Sequence, residues 1–143
     1  MIMSKFILKL CAAATALGCL AGCWGGDKSV EMGPTETVEE FCKAMTACQW
    51  EEAERLCIST SMKEYIEDYR QAWIKLEKED NGAAKVAKTL LESTIVTVKD
   101  VHKHDDKRVV TYTLETDGLS KTRQATLRKE EGAWRVETIT DAD

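Results

Sequence analysis

A chain of 143 residues has room for one compact domain and an appendage, not for two full domains. Hydrophobic residues make up 43 % of it and charged residues 31 %, the balance of a globular protein, and one Pro with 8 Gly excludes collagen-like and low-complexity chains. A formal net charge of −5 argues against non-specific nucleic-acid binding, which needs a basic surface.

Lys5 and Lys9 give a short basic start to an apolar run from Leu10 to Gly22. The run is short and rich in Ala, whereas a spanning helix takes roughly 20 apolar residues. With small residues at its end it has the form of a secretory signal. Leu20-Ala21-Gly22-Cys23 resembles the lipobox of bacterial lipoproteins. That resemblance implies cleavage before Cys23, a diacylglycerol on the Cys23 sulfur and acylation of the new amino group. Residues 1–22 are then a signal peptide outside the fold. The competing reading is an ordinary secretory signal that contains Cys. A cut before Cys19 is disfavoured by Leu17, which sits where a small residue is preferred. Two or more acyl chains anchor stably where one does not, so a soluble body tied to the membrane is expected. Trp24 is placed to sit at the lipid–water interface. It is not the Asp that favours inner-membrane retention, so the resemblance implies the outer membrane, on an undetermined side, in a host with two membranes. Without Lys5 and Lys9 the chain keeps 18 basic side chains against 25 acidic ones, near −7, and should stand off an anionic surface.

Residues 23–34 hold Gly25, Gly26, Gly33 and Pro34 without periodicity and read as a lipidated Cys and flexible tether. One domain is expected over residues 35–143. Thr35 is a candidate N-cap, and Val38, Phe41, Cys42 and Met45 fall at helical spacing. After a break near Cys48-Gln49-Trp50, Ala53, Leu56 and Cys57 share one side of a short second helix. Ser59, Thr60 or Ser61 can cap a longer third, with Tyr65, Ile66, Tyr69, Trp73 and Leu76 on one face. Asp80-Asn81-Gly82 stops it, and a turn or two more of helix is expected between Ala83 and Leu91. From Ser93 the period changes to two. Strands are expected over 95–104, 107–116, 119–130 and 133–140, joined by short turns that make neighbours antiparallel. Valines, Tyr112, Leu114 and Trp134 alternate with polar residues, so one sheet face should be buried. The predicted class is α+β, with N-terminal helices packed on a curled four-stranded antiparallel sheet.

Pro34-x-x-x-Val38-x-x-Phe41-x-x-Ala44-Met45, Cys48-Gln49-Trp50-Glu51-Glu52-Ala53 and the final Glu131-Gly132-Ala133-Trp134-Arg135-Val136, behind a lipobox, resemble small bacterial lipoproteins with a domain of unknown function (family number 4878). The resemblance covers roughly residues 34–140 and implies a nuclear-transport-factor-2-like, cystatin-like cone. It brings no activity and no catalytic residues, and Cys48 stands where relatives often have Gly or another small residue. Relatives of that fold include isomerases, dehydratases and non-catalytic binders, so fold does not fix function.

Three cysteines remain after the signal and Cys23: Cys42, Cys48 and Cys57. If the first two helices fold back at Gln49, Cys42 and Cys57 come to nearly equal heights at 1.5 Å rise per residue. A bridge between them would contribute about 3 kcal/mol in the chain-entropy model. The alternative is two small buried thiols. No metal or cofactor is expected. His102 and His104 share a strand face beside Asp105 and Asp106, but at a hairpin tip where solvation explains them, and no phosphate loop is present. Tyr65, Tyr69, Trp73, Asp100, Tyr112 and Trp134 are candidates to line a pocket where helices meet sheet, or the rings fill that space. Asp100, in register with Val96 and Val98, is the one strand carboxylate that could point inward as an acid–base partner for Tyr112; the alternative is exposure at the strand end. Three functions stay open. The first is a non-catalytic envelope module binding a small apolar ligand or a protein. The second is an isomerase- or dehydratase-type enzyme. The third is a homodimer formed through a polar outer sheet face that includes Lys121, Arg123, Thr111 and Thr113.

Overall fold

The computed structural model describes residues 32–142. The signal over residues 1–22, the lipidation site Cys23, Trp24 and most of the tether lie outside the described residues. Among the described residues no helix is long and apolar enough to cross a membrane.

Four helices precede four strands: α1 (Pro34–Thr46), α2 (Trp50–Arg55), α3 (Ser59–Glu79), α4 (Asn81–Glu92), β1 (Ile95–His104), β2 (Lys107–Thr116), β3 (Leu119–Glu130) and β4 (Ala133–Asp141). The strands form an antiparallel meander in the order β1-β2-β3-β4, and the helices pack on one face of it. The chain is therefore α+β, with helices on a curled sheet, as its change of period from helical to alternating predicts.

Local chemistry accounts for most boundaries. Pro34 occupies the first helical position of α1, where its missing N–H costs nothing. The N-cap is Gly33 rather than Thr35. Thr37, fully buried, satisfies its hydroxyl by donating to the Gly33 carbonyl at 2.8 Å. α1 ends in a Schellman motif: the Gln49 N–H reaches the Ala44 carbonyl at 2.9 Å and the Cys48 N–H reaches that of Met45 at 3.2 Å. The motif needs a left-handed residue, and Cys48 supplies it at φ 59°. Asp80 separates α3 from α4, and its carboxylate accepts the Ala83 N–H at 3.0 Å. Asp80-Asn81-Gly82 thus starts a full 12-residue helix, and Gly82 lies inside it. None of Ser59, Thr60 and Ser61 caps α3, whose N-cap is Ile58. Ser61 instead donates to the Glu137 carbonyl at 2.6 Å, tying α3 to β4. Asp117-Gly118 and Glu131-Gly132 take positive φ at both positions (49° and 80°, 54° and 83°), the conformation of type I′ hairpins.

Two β-bulges bend the sheet. In β1 the register slips between Val98 and Asp100; between β3 and β4 it slips beside Glu137. The edge of β4 is covered by the chain between α2 and α3. Ile58 donates to the Val136 carbonyl at 2.8 Å, and Val136 to that of Leu56 at 2.9 Å. A dense core lies beneath this edge, where Ala53, Met62, Leu127 and Val136 are nearly or wholly buried.

Three expectations are corrected. Cys42 and Cys57 are separate buried thiols, not a disulfide. Equal heights required two continuous antiparallel helices, but α2 ends at Arg55 and Cys57 belongs to the extended segment on β4. Asp100 does not point inward. The bulge at Lys99 reverses the parity of β1, so Asp100 pairs with Thr111 on the outer face and Val101 takes the inner position opposite Val110. Arg123 does not belong to the outer face: it pairs with Tyr112, and Lys121 with Leu114, on the inner side.

Candidate functional site

The packing that is dense under β4 opens toward α4. There α1, α3, α4 and the sheet border a half-open cavity of about 550 Å³, within the range of about 300–1,000 Å³ usual for ligand sites. α1 contributes Phe41, Cys42 and Met45, from the same face that builds the core. α3 is 21 residues long and contributes Tyr65, Tyr69, Trp73 and Leu76 to the lining. α4 folds back against it and closes the wall with Ala87, Leu90 and Leu91. The floor is Tyr112, Leu114 and Arg123. Three of the bordering rings touch in series: Phe41 and Tyr65 lie 6.4 Å apart, Tyr65 and Tyr69 5.1 Å.

The sequence-predicted lining divides. Tyr65, Tyr69, Trp73 and Tyr112 border the cavity. Asp100 does not, for the reason of parity given above. Trp134 does not either. It lies at the opposite end of the sheet, with the Arg108 guanidinium 5.0 Å and the Lys129 ammonium 5.5 Å from its ring. The rings do not fill the space between helices and sheet. The residue missed from sequence is Arg123. The two-residue turn at Asp117-Gly118 pairs Thr116 with Leu119, and counting back along both strands sets Arg123 opposite Tyr112. The sequence signal is strand parity carried across that two-residue turn.

Arg123 organises the polar part of the site. Its Nη1 donates to the Tyr65 hydroxyl at 2.8 Å and its Nη2 to the Tyr69 hydroxyl at 3.2 Å. Its Nε faces the Asp141 carboxylate at 3.3 Å, an ion pair without the alignment of a hydrogen bond. Asp141 is shared with Lys121 at 3.4 Å. Burial opposes the charge on Arg123, but the tyrosine oxygens more than offset it and the pKa lies above the ordinary value. Burial also pushes the Tyr112 and Tyr65 hydroxyls up, and the Cys42 thiol to about 12 despite the hydrogen bond from Tyr112. At neutral pH the cavity therefore holds neutral thiols at Cys42 and Cys48, neutral phenols at Tyr65 and Tyr112 and one fixed cation, Arg123. On the far wall Thr94 and Thr116 satisfy each other at 2.7 Å.

None of the lining side chains is a carboxylate or an imidazole. The thiol that faces the cavity beside Tyr112 is held far from its nucleophilic form. Such a lining can enclose an apolar body and present one positive hydrogen-bonding group. It does not bring together an acid and a base. His102 and His104 are exposed on β1, and among the described residues no three metal-binding side chains gather.

No family model matches the chain, and no curated protein matches it. Three solved structures resemble it at low identity. An NTF2-like protein of unknown function from Cytophaga hutchinsonii has 10 % identity and a TM-score of 0.45 over 78 % of this chain and 90 % of that one. A SEC-C motif containing protein from Rhodopseudomonas palustris has 13 % identity and a TM-score of 0.45 over 77 % and 79 %. Bd1075 of Bdellovibrio bacteriovorus has 12 % identity and a TM-score of 0.50 over 76 % of this chain and 38 % of its own length. Likeness of this order bears on fold alone, and at 0.45 it carries no further argument.

Proposed function

We propose that the chain is an envelope lipoprotein, tied by a lipid on Cys23, whose α+β domain is a non-catalytic module that binds a small, mainly apolar ligand. The observation that carries the binding reading is the cavity of about 550 Å³, whose lining has one fixed cation and no carboxylate or imidazole. General acid–base chemistry on the isomerase or dehydratase pattern needs a proton acceptor near neutral pH. Asp100, the residue suited to that role, is on the other face of the sheet. The anchoring reading is supported by Leu20-Ala21-Gly22-Cys23 behind a basic start and a short apolar run, and by the resemblance to lipoproteins of family number 4878. Outer-membrane placement, in a host with two membranes, is part of the same proposal and is supported by Trp24, not Asp, standing after the Cys.

Expression of the full chain in a two-membrane bacterium with labelled palmitate tests the anchor. Label in the membrane fraction is expected, lost in Cys23→Ser; intact, unlabelled chain in the cytosol would refute it. The full chain in lipid nanodiscs, titrated with an environment-sensitive apolar dye against empty nanodiscs, tests the cavity. Saturable dye binding that Ala87→Phe abolishes is expected. Equal signal from empty nanodiscs overturns the binding reading.

A further inference from the structure

The cavity is not uniformly greasy, and its single charge is held in a way that leaves it work to do. A guanidinium has five N–H groups in one plane. Arg123 places one on Tyr65, one on Tyr69 and its Nε toward Asp141. One N–H on each Nη is left without a partner among the described residues. A carboxylate is the acceptor that best pairs with such a charged N–H donor. The Arg123 side chain is 18 % exposed, so its charge meets partial desolvation, whereas Asp141 is 56 % exposed and divided between Arg123 and Lys121. Within this trio two cations face one anion, leaving one positive charge uncompensated at the cavity wall. The two tyrosine hydroxyls hold the guanidinium in place, so a ligand meets a fixed cation with N–H groups still available to donate.

We infer that the ligand is a monoanionic amphiphile, such as a medium-chain fatty acid, whose carboxylate docks on the Nη edge of Arg123 while its apolar tail lies between Trp73, Leu76, Leu90 and Leu114. This rests on the binding reading above and deepens it by naming the head group. The tyrosines select against a bulky head by occupying one N–H of each Nη. Cys42 and Tyr112 are neutral and offer the head group no competing cation.

The test uses the full chain in lipid nanodiscs, with empty nanodiscs as blank, and three probes of equal chain length: dodecanoate, dodecan-1-ol and dodecyltrimethylammonium. Dodecanoate is expected to bind at least tenfold tighter than the alcohol, and the cation weakest. Arg123→Gln should weaken dodecanoate tenfold or more and leave the alcohol within threefold. Arg123→Lys, which keeps the charge but not the paired donors, should fall between. The ranking of probes on the unaltered chain needs no variant, so it stands even if Arg123→Gln fails to fold. Alcohol and carboxylate binding equally, with Arg123→Gln changing neither, would overturn the head-group inference and leave the apolar-cavity reading standing. Absence of binding by all three would overturn both.

Discussion

Raising the pH should unfold this domain sooner than its composition suggests, because two thiols are buried in the core. Cys42 and Cys57 are each held at about 12, against an ordinary value of 9.0, chiefly by burial. In the unfolded chain both return to the ordinary value. Between pH 9 and 12 the unfolded state therefore binds fewer protons than the native one, and stability falls as pH rises. Below about 9 the contribution is intact. Moving from pH 8 to pH 10 removes just over 1 kcal/mol per thiol, or about 2–3 kcal/mol for the pair, by the linkage relation. That is a large part of a total of about 5–15 kcal/mol for a typical domain. The assay is urea denaturation of the chain from Gly25 onward, with reductant, followed by tryptophan fluorescence at both pH values. A Cys42→Ala/Cys57→Ala variant supplies the baseline, and the pH-dependent loss should shrink in it by that same 2–3 kcal/mol. Identical pH dependence in the two proteins would refute the reasoning. So would a curve without reductant that differs from the one with it, because a Cys42–Cys57 disulfide has no thiol to titrate.

The bulge beside Glu137 holds one carboxylate between Lys107 Nζ at 2.8 Å and Arg128 Nε at 2.9 Å. Glu137→Gln should cost about 1 kcal/mol in thermal denaturation, since the partners are partly exposed, and the difference should shrink in high salt. Gly118 has φ 80° and open space around it, so Gly118→Ala meets no clash and its cost is backbone strain alone; a loss of about 1 kcal/mol is expected by the same denaturation. Leu127 is wholly buried under the covered edge of β4, and Leu127→Ala should lose about 2–5 kcal/mol in urea denaturation, as cavity formation there would predict.

Sequence by itself determined the order of elements. The helical spacing of Val38, Phe41, Cys42 and Met45, and the alternation from Ile95 onward, follow from each residue's need to place apolar atoms on one side of its own element. The hairpins at Gly118 and Gly132 were legible because few side chains tolerate positive φ. Where a side chain points after an irregularity was decided only by tertiary structure. A single extra residue at Lys99 turns Asp100 outward, since strand parity has a period of two and any insertion inverts it. The fate of Cys42 and Cys57 depended likewise on where α2 stops, which is set by Ile58 and Leu56 bonding to Val136 some eighty residues away. The cavity is the clearest case. Each ring that borders it reads locally as core, and only the placement of α1, α3 and α4 around the sheet leaves space between them. Volume between elements is a property of their relative placement, and no stretch of sequence carries it alone.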